Sequence, residues 1–498
     1  MPFSYPRAFL LLLSQGGEMS HSLSKAFFAV LILALTVSVA YSFEDDSYST
    51  PDNWKQHVTA GRIVQSTSGS GLTDDTSLYT TLTTRLRLKS NEYAEDSDVY
   101  QYIRMHTDAA EVGNGTVKLS IFGRITSDIN GDSDEDWGDN DYYAQRDILD
   151  ADNSEGDLGG RLYQGYLQAD GVIKNTKISI GRFYLDHLTT YQVDGIDAQV
   201  NVTDTFSVYA FGGLPVSYFY DLEDSYVAGA GFSYRYMDNT IFRGEYSYAE
   251  VDDIDDDHTQ LEFVQLIPNG SVMLGYELLN DADTYSADLD YQISSTGTIV
   301  TLGFERLNDD IEGSDSNYLV NPITYALMDQ SKYSKYKASV YQPFMKYFVA
   351  GLSYEAKSVD GDENFDNRDY QKYGAKFDIN GLISDGTYIS LNADKWAISD
   401  TDSTDDNNRI MYGLQVSQKV NAEVDVWLGS SFSKYEYDYL TDTRKDSVRS
   451  YYVGGQYQPS ETLGVLLDVS REETEFYDDV DDDLSDSYVV ELWANIAF

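Results

Sequence analysis

From Ser77 to Phe498, apolar and polar residues alternate with a period of two, segment after segment. In 284–293, Tyr285, Ala287, Leu289, Tyr291 and Ile293 fall on one face, and Ser286, Asp288, Asp290 and Gln292 on the other. Val117, Leu119, Ile121 and Ile125 stand opposite Lys118, Ser120 and Arg124 in the same way. So do Val272, Leu274, Tyr276 and Leu278 against Gly275 and Glu277, and Val300, Leu302 and Phe304 against Thr301 and Glu305. Successive side chains of a strand point to opposite faces, so each segment predicts a strand with one apolar and one polar face. A soluble sandwich gives the same alternation with its apolar face inward. Two features favour the inverse, apolar outward to lipid. The segments run to about 10 residues or more, the length a tilted strand needs to cross a bilayer, against about 5–6 for soluble strands. The links also alternate in length. Short ones at 112–116, 171–176, 202–205, 237–240, 268–271, 294–298, 342–346 and 458–462 separate longer acidic ones at 128–159, 213–225, 309–332, 359–368, 397–408, 437–446 and 476–485. Short periplasmic turns and long extracellular loops are the order of a transmembrane barrel. The expected fold is therefore all-β, a single antiparallel transmembrane barrel over 77–498, with about 22 strands and a range of 16–24.

The start of the chain reads differently. Lys25 precedes an apolar run, 26–40, that ends in small residues and gives way to an acidic stretch. This is the pattern of a secretory signal peptide ending at Ala40 or Ser42, and the run is short for a helix spanning about 30 Å of hydrocarbon. Residues 1–42 are expected to be the signal, with Met19 as its natural start and 1–18 as an upstream extension. Residues 43–76 are expected to form a periplasmic or lumen-lining segment.

The chain ends SYVVELWANIAF, with Tyr488, Val490, Leu492, Ala494, Ile496 and Phe498 at every second position. This resembles the terminal-strand signal of Gram-negative outer-membrane β-barrel proteins. The resemblance implies an outer-membrane location and recognition by the barrel assembly machinery through Tyr488, Val490, Leu492, Ile496 and Phe498. It names no subfamily.

Composition narrows the function. Among 498 residues there are 84 Asp and Glu against 34 Lys and Arg, a formal net charge of −50, with 43 Tyr and no Cys. Such a charge repels nucleic-acid phosphates. The absence of Cys removes disulfides, thiolate metal sites, Cys nucleophiles and covalently attached haem. Most of the Tyr are expected in belts at the bilayer interfaces.

Alternation places Arg104, Lys118, Arg124, Arg182, Arg243, Asp288, Asp290, Glu305, Asp394 and Asp425 on the lumen face, basic in the first half and acidic in the second. Rows of fixed charge select ions and orient polar solutes, and porins, which this pattern resembles, use opposed rows at a constriction. The constriction is expected from 318–328, unusually apolar for an external loop, or from 128–159. The latter carries 12 Asp and Glu against Arg146 alone. Asp128, Asn130, Asp132 and Asp134 offer oxygens at every second position, as calcium loops do, although Ser133 stands where such a loop has Gly. A solvated loop beside anionic lipopolysaccharide accounts for the same residues. No cofactor is expected beyond such a divalent cation. Asp186–His187 and His106 are the residues that resemble acid–His pairs of outer-membrane proteases and the His of outer-membrane phospholipases. Neither family's wider motif accompanies them, and an enzyme is not expected.

Two functions follow. One is a porin-like channel for passive diffusion of small hydrophilic solutes or ions through a charged constriction. The other is a sheath for a partner protein. Barrels of about 22 strands enclose a lumen that is normally plugged. Siderophore-type receptors of that size carry an N-terminal plug that 43–76 is too short to supply. The sheath would resemble barrels that house multihaem cytochromes for extracellular electron transfer. The expected partners are outer-membrane lipid and lipopolysaccharide, the assembly machinery, and further copies of the chain or a secreted protein.

Overall fold

The computed structural model describes residues 70–73, 76–90, 95–129, 158–189, 191–216, 225–251, 254–311, 331–360, 368–398, 407–439, 442–475 and 484–498. Residues 1–42, expected to be a signal, and 43–69 lie outside them, as do 318–328 and most of 128–159. In chain order the strands are β1 (Ser70–Thr73), β2 (Thr76–Ser90), β3 (Glu95–Thr107), β4 (Ala110–Val112), β5 (Gly115–Asp128), β6 (Leu158–Asp170), β7 (Thr176–Tyr184) and β8 (Gln192–Asn201). They continue as β9 (Phe206–Pro215), β10 (Tyr226–Tyr236), β11 (Thr240–Val251), β12 (Ile254–Ile267), β13 (Gly270–Leu279), β14 (Ala282–Ile293), β15 (Thr298–Leu307) and β16 (Tyr333–Phe344). The last are β17 (Phe348–Val359), β18 (Tyr370–Asn380), β19 (Thr387–Ile398), β20 (Asn407–Lys419), β21 (Val424–Tyr439), β22 (Asp442–Ser460), β23 (Leu463–Glu475) and β24 (Leu484–Ala497).

Strands pair antiparallel with their chain neighbours, except that β3 pairs with β5 rather than β4, and β2 pairs with β24, so the sheet has no open end. β1 is a hook folded onto the start of β2, and β4 continues the line of β3 along β5. That leaves 22 staves, the number expected from the alternation. The last residue takes part in the closure: Phe498 N–H donates to the Thr80 carbonyl at 2.9 Å and Thr80 N–H to that of Phe498 at 3.3 Å.

At one end the staves are joined by tight turns, such as 113–114, 268–269 and 461–462. Asn175 and Asn269 adopt left-handed φ of 60° and 65° there, a conformation Asn tolerates. At the other end the links vary widely. The stretch 437–446, expected as a long acidic loop, is mostly strand: β21 and β22 run on to pair Tyr439 with Asp442. Charge does not break them because it pairs across the ladder, with Lys445 Nζ 2.9 Å from Glu436 Oε1.

Candidate functional site: the lumen wall

Register fixes which side chains share a face. One face carries Ile180, Ile196, Leu274, Leu302, Leu352, Leu391, Leu428 and Val453, with Leu352 67% and Leu428 53% exposed. The other carries Arg124, Glu245, Ser247, Asp256 and His258, all buried. The tube thus has an apolar exterior and a polar interior, the inverse of a soluble protein. This is the architecture of an outer-membrane β-barrel.

Nine of the ten charged residues expected in the lumen lie on that inner face. Arg104 pairs with Phe122, Arg124 with Tyr102, and Lys118 with Gln168. Arg243 pairs with Glu262, Asp288 with Gly303, Asp290 with Thr301, Glu305 with Lys335, Asp394 with Gly374 and Asp425 with Gln456. Arg182 is the exception. It pairs with Gly165 and Asp194 and shares the outer face with Ile178, Ile180 and Ile196. A charge is held there because the neighbouring strand supplies its partner: Arg182 Nε and Nη2 donate to the two Asp194 carboxylate oxygens at 2.8 and 2.6 Å, and Nη1 to the Leu162 carbonyl at 2.9 Å. Arg182→Leu leaves Asp194 alone on the apolar face and is expected to lower the midpoint of urea unfolding in lipid vesicles. Arg182→Leu/Asp194→Leu is expected to return it to at least the parent value, since replacing both partners of an ion pair by apolar residues is often neutral or stabilising.

Interior charges gather in three arcs, with Asp394, Asp425 and Glu491 further round on β19, β21 and β24. On β2–β6, Arg85, Arg87, Arg104, Lys118, Arg124 and Arg161 stand among aromatic rings. Arg85 lies 4.8 Å from the Trp493 centroid and 5.0 Å from that of Tyr100. Arg104 lies 4.9 Å from Phe122, and Phe122 stacks on Tyr163 at 4.9 Å. On β11–β15 the charge is mainly negative: Glu245, Asp256, Glu262, Glu277, Asp288, Asp290 and Glu305. Here Arg243 is 3.2 Å from Glu262, and His258 Nε2 is 2.6 Å from Glu277. The third arc adds cations to the half expected to be acidic. Lys335, Lys337, Lys357, Lys372 and Lys376 face inward on β16–β18, interleaved with Glu355 and Asp378. Their alternate spacing in YSKYK and YQKYGAK carried that signal in the sequence.

The sequence reading also missed the link between β7 and β8, whose residues 185–189 and Tyr191 lie against the inner wall. Leu185 N–H donates to the Tyr191 carbonyl at 2.8 Å, closing the link at its base. His187, Leu188 and Thr189 turn onto the inner face. His187 Nε2 sits 2.8 Å from Asp197 Oδ1, with both side chains almost enclosed. Its ring stacks on Tyr209 at 3.8 Å and 7°. Glu245, only 4% exposed, receives the backbone N–H of Leu188 at 3.2 Å, that of Thr189 at 3.1 Å and the Tyr209 hydroxyl at 2.7 Å. Leu185 and Tyr191 pack with Phe183, Val193, Phe211 and Val227 in an apolar cluster on the same wall. Burial lifts the Tyr191 phenol well above its ordinary value, so it stays neutral. Asp186–His187, singled out for its likeness to a protease pair, therefore supplies His187 as a fastening. His106 stacks on Tyr79 at 5.1 Å, beside the Tyr79–Asp108 hydrogen bond.

Asp128 ends β5, while Asn130, Asp132 and Asp134 lie outside the described residues. Among the described residues no group of three or more His, Cys, Asp or Glu could hold a metal ion. Tyr488, Val490, Leu492 and Ile496 share the outer face of β24.

No protein-family model matches the sequence, and no curated protein does. Solved structures with some likeness include OccAB1 of Acinetobacter baumannii, 12% identical over 87% of this chain and 99% of that one, with a TM-score of 0.40. OpdK of Pseudomonas aeruginosa with vanillate is 10% identical over 86% and 100%, with a TM-score of 0.40. A BenF-like porin from Pseudomonas fluorescens Pf-5 is 10% identical over 86% and 100%, with a TM-score of 0.43.

Proposed function

We propose that this barrel is a passive channel of a bacterial outer membrane for small hydrophilic solutes, narrowed by the Leu185–Tyr191 link. The observation that supports it is the fastening of that link by Glu245 and Asp197 inside a polar-walled tube. A loop held by buried charge against the wall reduces the cross-section permanently and leaves the rest of the lumen to water. Selectivity then comes from the three arcs of fixed charge, because solutes pass within a few Å of them in a confined, partly desolvated space. Transport needs no energy source, and diffusion down a gradient suffices. The tight turns face the periplasm and the long links the exterior, where their carboxylates meet lipopolysaccharide and its divalent cations. The outward face of β24, ending at Phe498, is the part the assembly machinery would read.

A size series of neutral solutes in a liposome-swelling assay tests this reading. The expected result is a swelling rate that falls steeply with solute size and vanishes for solutes wider than the narrowed lumen. Equal rates for all sizes, or no swelling at all, would overturn it. The second outcome is the one a sheath closed by a partner protein would give.

A further inference from the structure

The wall from β16 to β22 has a different texture from the rest of the interior. Small residues replace large ones, and a recess of about 320 Å³ opens between Tyr341 and Tyr452. That volume lies near the lower bound of small-molecule pockets, about 300–1,000 Å³. Gly374 and Gly413 form its floor. A Cβ on Gly413 would stand 2.3 Å from Asn392 Oδ1, and one on Gly374 2.3 Å from Ser353 Oγ and 2.8 Å from Asp394 Oδ1. The glycines thus let polar side chains lie along the wall. Tyr341 crosses to Gly351 and lies so close that a Cβ there would meet its ring at 2.6 Å. Its ring therefore lies against the wall.

Several polar groups of the recess make no hydrogen bond to protein. Among the described residues, the side chains of Asn392, Asp394, Gln415, Ser353 and Ser431 make no hydrogen bond to protein, although all line the recess. Its two cations are already engaged. Lys376 is 3.2 Å from Asp378, and the Lys372 ammonium lies 4.5 Å from the Trp396 centroid. What remains open to hydrogen bonding is a set of two amides, two hydroxyls and the Asp394 carboxylate, which has Lys372 and Arg409 nearby, beside an aromatic ring. An amide or carboxylate is planar and meets two neighbouring hydroxyls at once. A hydroxyl both donates and accepts, so it matches a wall that offers both. The ring covers an apolar face of matching size.

We infer that this recess is a weak binding subsite for polyhydroxylated solutes of one or two sugar rings, with Asn392, Asp394 and Gln415 taking hydroxyls and Tyr341 the apolar ring face. The inference rests on the channel reading above and adds a substrate class to it. The recess lies on a different wall from the Leu185–Tyr191 fastening, so a sugar held there stays on the route of a solute passing the constriction.

The test is single-channel current in KCl with sucrose added, against polyethylene glycol of the same hydrodynamic size. Sucrose is expected to interrupt the current with a saturable concentration dependence, and polyethylene glycol to lower it without saturation. Asn392→Leu/Gln415→Leu should weaken the sucrose effect at least tenfold while the current in KCl alone is retained. Gly413→Val, which fills the floor and keeps every polar group, should do the same. Folding of each variant is checked by its compact migration on an unheated gel. Equal, non-saturating effects of the two solutes would overturn the inference and leave the channel reading intact, as would saturable block that survives both variants. Absence of any current would overturn the channel reading. Equilibrium dialysis of radiolabelled sucrose against the micellar protein then decides the subsite: retention lost in both variants supports it, and no retention, or retention unchanged in the variants, overturns it.

Discussion

Replacing Glu245 by Ala is expected to enlarge the channel, raising single-channel conductance roughly twofold or more, because current through a pore follows its narrowest section. The carboxylate holds three donors: the N–H groups of Leu188 and Thr189 and the Tyr209 hydroxyl. An enclosed donor left without a partner costs about 1–3 kcal/mol. Truncation strands three at once, and the cheapest relief is for the 185–191 link to swing out into water. The His187–Asp197 contact and the apolar anchors Leu185 and Tyr191 oppose that movement. Glu245→Gln keeps one acceptor oxygen and should give an intermediate conductance. Conductance unchanged in Glu245→Ala, with the barrel folded, would place the narrowest section elsewhere.

Glu491→Ala is expected to have the largest effect on stability. The seam where β24 meets β2 joins residues from opposite ends of the chain. Glu491 is its inner charge, with Oε1 2.8 Å from Arg85 Nη2 and 3.7 Å from Arg87 Nε. Trp493 Nε1 donates to its other oxygen at 3.3 Å. All three charged side chains are largely enclosed, so screening by lumen water is limited. Removing the carboxylate leaves two guanidinium groups side by side at the closure, and breaking such a pair from one side costs about 3–5 kcal/mol. The expected readout is a clear fall in the temperature at which the compact gel band is lost. Arg85→Met/Glu491→Met should recover part of the loss, although Arg87 then keeps its charge without Glu491. A fall no greater than that of a lumen-facing Ser→Ala, such as Ser431→Ala, would show that the seam is held by its backbone ladder alone.

The barrel was legible in the sequence because alternation is a local property. Thr284–Ile293 states its two faces without reference to any other strand. Nine of the ten charged residues assigned to the lumen by that alternation share the inner face. Arg182 departs from it for a reason that is also local: Ile178 and Ile180 have its parity, so the strand placed it outward, and only the partner Asp194 makes the position tolerable. The inward link after β7 was not legible. Glu245 and Leu188 are separated by 57 residues, and their contact depends on the register of β8 through β11 together with the inward turn of the link after β7. The short, mostly uncharged stretch LDHLTTY, set among acidic links, was the available signal. The polar groups of the recess were hidden for the same reason. Asn392, Gln415 and Ser431 look like ordinary polar positions until pairing places them side by side over two glycines.

The most direct measurement is single-channel conductance of the purified barrel in a planar bilayer, with a KCl gradient for ion preference. A loop-narrowed channel gives discrete, stable steps far below the conductance of an unobstructed tube of 22 staves, with a defined reversal potential. A conductance as large as the empty tube allows, or none until a second protein is added, would contradict it.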